Sequence, residues 1–221
     1  MQLLRAAALS ASTSSHLQGW SVVEVEDPDQ RQRVSELVGN QKQVVRAARF
    51  LAFCADHYRL RRHAEHHGID PDGLGSTELL LVSAIDAALA AERLAVTAEN
   101  LGIGICYIGS LRNDPAAIAD LLKLPKGVFG LFGLCLGYPQ ENASEKIKPR
   151  HRPENTFHRG HYDANWDPTA FDERMHKFYE AEGMDATDPY SLKMAQRVTH
   201  AGLAGRHTMQ DSLQKQGFAI Y

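Results

Sequence analysis

Hydrophobic and polar positions along the chain predict a mixture of helices and strands without a regular repeat. Short β-branched or aromatic runs predict strands, and longer stretches opened by capping residues predict helices. The predicted strands are 20–26, 50–55, 103–108 and 128–136, and the predicted helices are 1–10, 27–38, 41–48, 76–101, 114–124, 167–182 and two stretches within 189–215. Residues 57–75 are polar and His-rich and residues 139–166 lack periodicity, so both are predicted to be irregular surface segments.

The longest predicted helix, 76–101, has an unusual surface. From Leu79 to Ala98 it is apolar or small on nearly every side, whereas a helix exposed to water on one face shows a polar stripe. A chain of 221 residues offers little protein to bury a whole helix. We therefore expect a second subunit to pack against this helix.

Composition and charge exclude several classes of protein. The chain is 43% hydrophobic with a formal net charge of −3, which is ordinary for a globular protein and gives no basic face for nucleic acid. Its apolar stretches are too short for a membrane span. The three cysteines, Cys54, Cys106 and Cys135, are far apart in apolar runs. That spacing predicts buried free thiols in a reducing cytoplasm rather than a disulfide framework.

Two polar segments in the first half of the chain could bind a flat ligand. The loop Thr13-Ser14-Ser15 offers hydroxyls and free backbone amides, although many such clusters are plain turns. Gln41, Lys42 and Gln43 stand at a predicted helix start. Gln41 brings a donor and an acceptor, which complement a pyrimidine-like imide edge, while a routine capped turn is the alternative.

Two further segments could complete such a site. Tyr107, Ile108, Gly109 and Ser110 end a predicted strand, and the glycine allows the backbone to approach a ligand closely. Lys148 and Arg150 lie on a proline-stiffened segment that could clamp a phosphate. The alternatives are a turn between strand and helix for the first segment, and a solvated basic run for the second.

The histidines of residues 57–67 are another candidate site. His63 and His67 are spaced four residues apart and could bind a metal from one helical face. Their polar surroundings favour a solvated loop instead.

Taken in order along the chain, these segments resemble the nitroreductase family, and within it the group of oxygen-insensitive NADPH nitroreductases and FMN reductases. The matching residues are Ala11-Ser-Thr-Ser-Ser-His-Leu-Gln18, Gly39-Asn-Gln-Lys42, Phe53-Cys-Ala-Asp56, Glu99-Asn-Leu-Gly102, Tyr107-Ile-Gly-Ser-Leu-Arg112, Leu121-Leu-Lys-Leu-Pro125, Leu131-Phe-Gly-Leu-Cys-Leu-Gly-Tyr-Pro139, Lys148-Pro-Arg150 and Lys215-Gln-Gly217. Each match is weak singly, but the ordered set spans nearly the whole chain.

The resemblance implies an α+β fold, a nitroreductase-like sheet flanked by helices in an intertwined homodimer with FMN at its interface. Residues 1–221 would form a single domain, with 139–221 partly an excursion and helical extension over the partner or the active site. The residues implied to hold FMN are Thr13, Ser14, Ser15, Gln41, Lys42 and Gln43 for the ring and ribityl chain, Tyr107, Ile108, Gly109 and Ser110 against the ring, and Lys148 and Arg150 at the phosphate.

The implied activity is hydride transfer from NAD(P)H to FMN and then, by a ping-pong mechanism, to nitroaromatics, quinones or free flavin. The flavin carries the chemistry, so no catalytic acid or base is predicted. A cytoplasmic enzyme with a small aromatic electron acceptor, without nucleic-acid or membrane partners, is expected.

Two departures from the family pattern leave an alternative open. The family begins with a His-Arg-Ser-x-Arg-type segment whose arginines grip FMN, and the opening helix here has no N-cap, as if its beginning were missing. Either the natural start lies upstream of Met1 or flavin binding is weakened, and the alternative is a non-catalytic dimeric remnant. In addition, Gly183 to Pro189 carries acids where relatives that prefer NADPH would have arginines, so NADH and NADPH both remain open.

Overall fold

The computed structural model describes residues 1–140, 146–203 and 206–218. The chain divides into two compact units, residues 1–141 with 206–221, and residues 142–205. The helices are α1 (Gln2–Leu9), α2 (Pro28–Leu37), α3 (Lys42–Arg46), α4 (Tyr58–His66), α5 (Thr77–Asn100), α6 (Pro115–Leu121), α7 (Thr169–Ala181), α8 (Tyr190–Arg197) and α9 (Met209–Lys215). Parts of the predicted excursion 139–166, helical stretch 189–215 and domain 1–221 lie outside the described residues, at 141–145, 204–205 and 219–221.

The first unit contains a four-stranded sheet. Its strands are β1 (Trp20–Glu24), β2 (Arg49–Asp56), β3 (Gly104–Ile108) and β4 (Val128–Gly137), in the order β1-β2-β4-β3. All neighbouring strands are antiparallel. The predicted strands are therefore confirmed, and with them the α+β fold.

Two hydrophobic cores lie on opposite faces of this sheet, because successive residues of a strand point to opposite sides. On one face Phe50 packs with apolar residues of α2, α3 and α6. On the other face Phe53 packs with residues of α1 and α5. The strand β2, central in the sheet, is buried on both faces.

Helix starts follow the predicted capping residues. The Asp27 carboxylate accepts a hydrogen bond of 2.7 Å from the Gln30 amide at the start of α2. The Asp114 carboxylate accepts one of 3.0 Å from the Ala117 amide at the start of α6. Each satisfies an amide that the first turn of a helix leaves unpaired.

The prediction of an irregular segment at 57–75 is wrong for Tyr58–His66, which form α4. The helix exposes most of its residues and half-buries Leu60 and Ala64, one turn apart. The Asp56 carboxylate accepts a hydrogen bond of 3.1 Å from the Arg59 amide and so supports the first turn. Two apolar positions form too narrow a stripe for the hydrophobic pattern to indicate a helix.

Helix α5 is buried on one side only within a single chain. Ala87, Ala90, Ala91 and Leu94 are at most 2% exposed. On the side away from the sheet, Leu81, Ile85, Leu89 and Val96 are 44–56% exposed. A single chain therefore does not bury α5 on every side, as the sequence predicts for this helix.

The cysteine prediction needs one correction. All three thiols are free, and Cys54 and Cys135 are buried, but Cys106 is only half-buried. It lies on β3, an edge strand of the four-stranded sheet, where less of the chain covers the side chains.

The second unit is built on the helices α7 and α8. Phe171 and Met175 of α7 are buried. The Asp172 carboxylate accepts hydrogen bonds from the Ser191 amide (2.7 Å) and hydroxyl (2.5 Å), which joins the two helices. Throughout the part of the chain that the structure describes, no helix has the length and apolar character needed to span a membrane.

Candidate functional site

Gln41 joins two of the segments that the sequence singles out. Its side-chain amide donates a hydrogen bond of 2.5 Å to the hydroxyl of Ser110. The Gln43 side chain donates one of 2.7 Å to the Gln41 side-chain oxygen. Residues distant in sequence therefore form one polar cluster in which the amide of Gln41 has a fixed orientation.

Gly109 and its neighbours offer open backbone next to this cluster. A Cβ atom added at Gly109 would meet only the end of the Arg112 side chain, at 3.9 Å. Ile108 is 1% exposed and belongs to the core around Phe50, so its side chain cannot serve a ligand. Lys42 is exposed at the first position of α3.

The side chain of Tyr107 points towards α5. Its hydroxyl donates a hydrogen bond of 3.1 Å to a carboxylate oxygen of Glu92, and its ring meets the Phe132 ring edge-on with centroids 5.7 Å apart. Partial burial, followed by the negative charge of Glu92, raises the pKa of Tyr107 above its usual value. The phenol is therefore a protonated, oriented and 39% exposed aromatic group.

The loop Thr13-Ser14-Ser15 is held by Asp86 of α5. The Thr13 hydroxyl and the Ser14 amide both donate hydrogen bonds to the Asp86 carboxylate, the second at 3.0 Å. Asp86 is 1% exposed. Ser15 has a φ of 48°, a left-handed conformation that is uncommon for residues other than glycine.

Sequence reasoning missed Asp86 and Glu92. A signal for Asp86 existed, because an acidic residue within the apolar stretch from Leu79 to Ala98 needs a polar partner once it is buried. The sequence does not indicate that the partner lies 73 residues away at Thr13.

Within one chain the predicted ring-binding residues fall into two groups on opposite faces of the sheet. The Thr13 loop is attached to α5, which packs on one face. Gln41 lies between α2 and α3, which pack on the other face.

Lys148 and Arg150 lie in the second unit. Both side chains are exposed, and the Arg150 guanidinium donates a hydrogen bond of 2.8 Å to the Lys148 carbonyl oxygen. Their predicted contact with a phosphate stays a prediction.

His63 and His67 lie near the end of α4 and directly after it, and both are exposed. Among the described residues, no group of three or more His, Cys, Asp or Glu side chains is placed to hold a metal ion.

A cavity of about 430 Å³ between α1 and β1 contains none of the predicted site residues. Apolar side chains line it together with Gln18, Ser21 and three charged residues. Of these, Arg5 and Glu24 form an ion pair of 2.7 Å, and Arg59 pairs with Asp56 at 3.2 Å. Because the charged groups of this cavity already have partners in the same chain, the Gln41 cluster is the stronger candidate for binding a ligand.

The Gln41 cluster suits a flat heteroaromatic ring. Amide and hydroxyl groups can pair with polar atoms at the edge of such a ring, and open backbone at Gly109 permits close approach. Tyr107 offers an aromatic surface on the opposite face of the sheet, next to α5. An antiparallel sheet between two helix layers, with a polar cluster directly after β3, defines an α+β protein with a candidate site for a flat aromatic ligand.

The chain belongs to the nitroreductase family. It matches the family over residues 1–138 and the family's C-terminal domain over residues 148–221. The family and the fold expected from the sequence are therefore confirmed.

Individual relatives agree with this assignment. The chain is 43% identical over 161 residues to an FMN reductase (NADPH) of Bacillus subtilis, a match that covers 72% of this chain and 64% of the relative. It is 38% identical over 225 residues to an NADPH-dependent oxidoreductase of Staphylococcus epidermidis, covering 96% of this chain and 86% of the relative.

Solved structures have the same fold. NfrA1 of B. megaterium superposes with a TM-score of 0.91 at 35% identity, covering 99% of this chain and 89% of the other. An NADPH:FMN oxidoreductase from Vibrio harveyi, complexed with NAD+, gives a TM-score of 0.82 at 33% identity, covering 99% and 88%.

Proposed function

We propose that this protein is an FMN-dependent oxidoreductase that takes a hydride from NAD(P)H and reduces a nitroaromatic, a quinone or free flavin. Relatives named FMN reductase (NADPH) and NADPH-dependent oxidoreductase bear out the expected enzyme class, an NAD(P)H-dependent oxidoreductase that uses FMN. The small aromatic acceptor and the ping-pong order, in which NAD(P)H and acceptor use one pocket in turn, belong to the proposal. The proposal also includes a cytoplasmic location, which the three free thiols support because the cytoplasm keeps thiols reduced.

The observation that carries the proposal is the hydrogen bond between Gln41 and Ser110. It brings a donor–acceptor amide to the open backbone at Gly109, where the imide edge of a flavin ring would fit. FMN, when bound, supplies the ring that accepts and returns the hydride.

The residues of this chain would bind and orient the ring. Gln41 would pair with the polar edge, and the Gly109 and Ser110 amides would lie near the face that reacts. Tyr107 is kept protonated and held against α5 by Glu92. It lies on the same face of the sheet as the Thr13 loop, so in a dimer it would cover the ring from the other subunit and exclude water. Lys148 and Arg150 would hold the phosphate, for which their positive charges are suited.

A homodimer is part of the same proposal. The Thr13–Ser15 loop and the Gln41 cluster are attached to opposite faces of the sheet, so one flavin would receive one group from each subunit. The exposed apolar side of α5 supports this arrangement, because contiguous exposed apolar surface indicates a protein interface.

The test is FMN titration followed by turnover. Purified protein is expected to quench FMN fluorescence and, with FMN added, to consume NADPH or NADH continuously when a quinone or a nitroaromatic is present. Gln41→Ala removes the amide and should weaken FMN binding by about 1–2 kcal/mol, which is roughly ten-fold. Gln32→Ala is the matched control, because Gln32 is an exposed glutamine of α2 away from Ser110, and it should leave FMN affinity unchanged.

Failure to bind FMN would overturn the proposal. Binding of FMN without turnover would instead favour a non-catalytic member of the family. Comparing kcat/KM for NADH and NADPH in the same assay decides the nucleotide preference, which the acidic stretch 183–189 leaves open.

A further inference from the structure

Cys106 and Cys135 lie opposite each other on the neighbouring strands β3 and β4. They are direct partners in the antiparallel pairing of β3 with β4. Cys135 belongs to the core around Phe50 and Cys106 packs against that core, so both side chains are on the same face. Directly paired residues in an antiparallel ladder have Cα atoms about 4.5 or 5.5 Å apart, and a disulfide requires about 4.4–6.8 Å. The backbone therefore already meets the distance that a cross-link needs.

The two thiols differ in their access to solvent. Cys106 is half-buried on an edge strand, whereas Cys135 is 3% exposed. Burial, with a smaller contribution from Cys106, raises the pKa of the Cys135 thiol to about 12. A small oxidant from solvent therefore reaches Cys106 first, while Cys135 stays a thiol beside it.

Cys54 has no such neighbour. Its direct partners in the sheet are Ser21 on β1 and Gly130 on β4, and it is fully buried. Cys54 therefore serves as an internal reference for the other two cysteines.

We propose that Cys106 and Cys135 are a site of reversible oxidation by hydrogen peroxide, which converts them to an intrachain disulfide. The Cys106 sulfur attacks one peroxide oxygen, the O–O bond breaks, and a sulfenic acid and one water are formed. The Cys135 sulfur then attacks the Cys106 sulfur, the S–O bond breaks, and a second water leaves with the Cys135 proton. Two thiols are oxidised, and one peroxide is reduced to two waters.

The cross-link lies where the candidate site begins. Cys106 immediately precedes Tyr107, which opens the segment ending at Ser110. The disulfide would tie β3 to β4 at the base of this segment. The inference itself is independent of the proposed function, because neither thiol has to contact a flavin.

The experiment uses the full chain treated with a small excess of hydrogen peroxide and then alkylated under denaturing conditions. We expect the intact mass to show the loss of two hydrogen atoms and a single alkylated cysteine, identified as Cys54 by peptide mapping. A dithiol reductant should restore three alkylated cysteines. Cys54→Ala is the matched control and should still lose two hydrogen atoms.

The variants Cys106→Ser and Cys135→Ala should each abolish the peroxide-dependent loss of two hydrogen atoms. Cys106→Ser should disturb the fold less, because Cys106 is only half-buried. Three alkylated cysteines after peroxide, oxidation of Cys106 only to oxygen adducts, a disulfide that includes Cys54, or a disulfide between two chains would each overturn the proposal. Because the mass readout needs no cofactor, a protein without flavin chemistry could still pass this test.

Discussion

The Asp86 carboxylate, in the middle of α5, accepts a hydrogen bond from the hydroxyl of Thr13, 73 residues away. The same carboxylate accepts the Ser14 amide at 3.0 Å. Ser15, His16 and Gln18 follow with positive φ values of 48°, 56° and 52°. Such conformations persist only where neighbouring interactions impose them, so the bonds to Asp86 shape a loop that the resemblance assigns to flavin binding.

Replacing Asp86 should therefore damage both stability and flavin binding. Asp86→Ala leaves the loop without its buried acceptor and should lower the free energy of unfolding by about 1–3 kcal/mol. Asp86→Asn keeps one acceptor oxygen and should give a smaller loss. Urea denaturation measures the first effect and FMN titration the second. Asp70→Ala, at an exposed aspartate, is the control, and an Asp86→Ala protein as stable as this control would contradict the argument.

The free energy of unfolding should decrease as the pH falls, because His57 is buried in its neutral form. Its ring is 2% exposed, and its Nε2 atom lies 3.1 Å from both the Leu79 carbonyl oxygen and the Ser83 hydroxyl. Burial lowers the pKa of His57 below its usual value of 6.5, although backbone hydrogen bonds to Leu79 and Leu74, and then the charge of Asp56, oppose the shift. The unfolded chain then binds the proton more readily than the folded one. The contribution of His57 to stability is present above about pH 6.5 and is lost as the pH falls further.

The measurement is the free energy of unfolding at several pH values between about 5 and 8. His57→Gln should flatten the acid side of the curve relative to the wild type. His66→Gln, at an exposed histidine of α4, should keep the wild-type slope. Equal slopes for all three proteins would show that His57 is not responsible.

Gly133 should tolerate no larger side chain. A Cβ atom there would lie 2.6 Å from Cε2 of Phe50 and 3.2 Å from Cβ of Ile108, both in the packed core. Gly133→Ala should cost about 1–3 kcal/mol of unfolding free energy through overpacking. At Gly73 an added Cβ meets nothing within 4 Å, so Gly73→Ala should be neutral or slightly stabilising. Equal thermal midpoints for the two variants would show that a Cβ atom at Gly133 does not overpack the core.

The exposed side of α5 should control subunit association. Ile85→Lys with Leu89→Lys places charges on side chains that are 56% and 44% exposed in one chain. Because each side chain is already about half-buried, its burial by a second subunit would contribute about 0.7–1.5 kcal/mol. Losing both contributions would weaken association at least about ten-fold. Sedimentation velocity should then show a shift from dimer to monomer. Ile69→Lys, at an isoleucine 63% exposed outside the helices, should remain dimeric, as should the wild type.

Local chemistry made several elements predictable. Asp27 with Pro28, and Asp114 with Pro115, mark the starts of α2 and α6 because the cap and the proline act within one helical turn. The strands were predictable because apolar, β-branched runs suit a pleated surface that is buried. Helix α4 was missed because only Leu60 and Ala64 bury part of it.

The amino-acid sequence by itself determined the order of helices and strands, the family, and the short segments that are candidates for binding flavin. Only the tertiary structure decided which groups meet: Gln41 with Ser110, Thr13 with Asp86, and Cys106 with Cys135. Capping and periodicity act over a few neighbouring residues, so they can be read along the chain. Contacts between distant residues depend on how strands pair and how helices pack across the sheet, which no local pattern specifies.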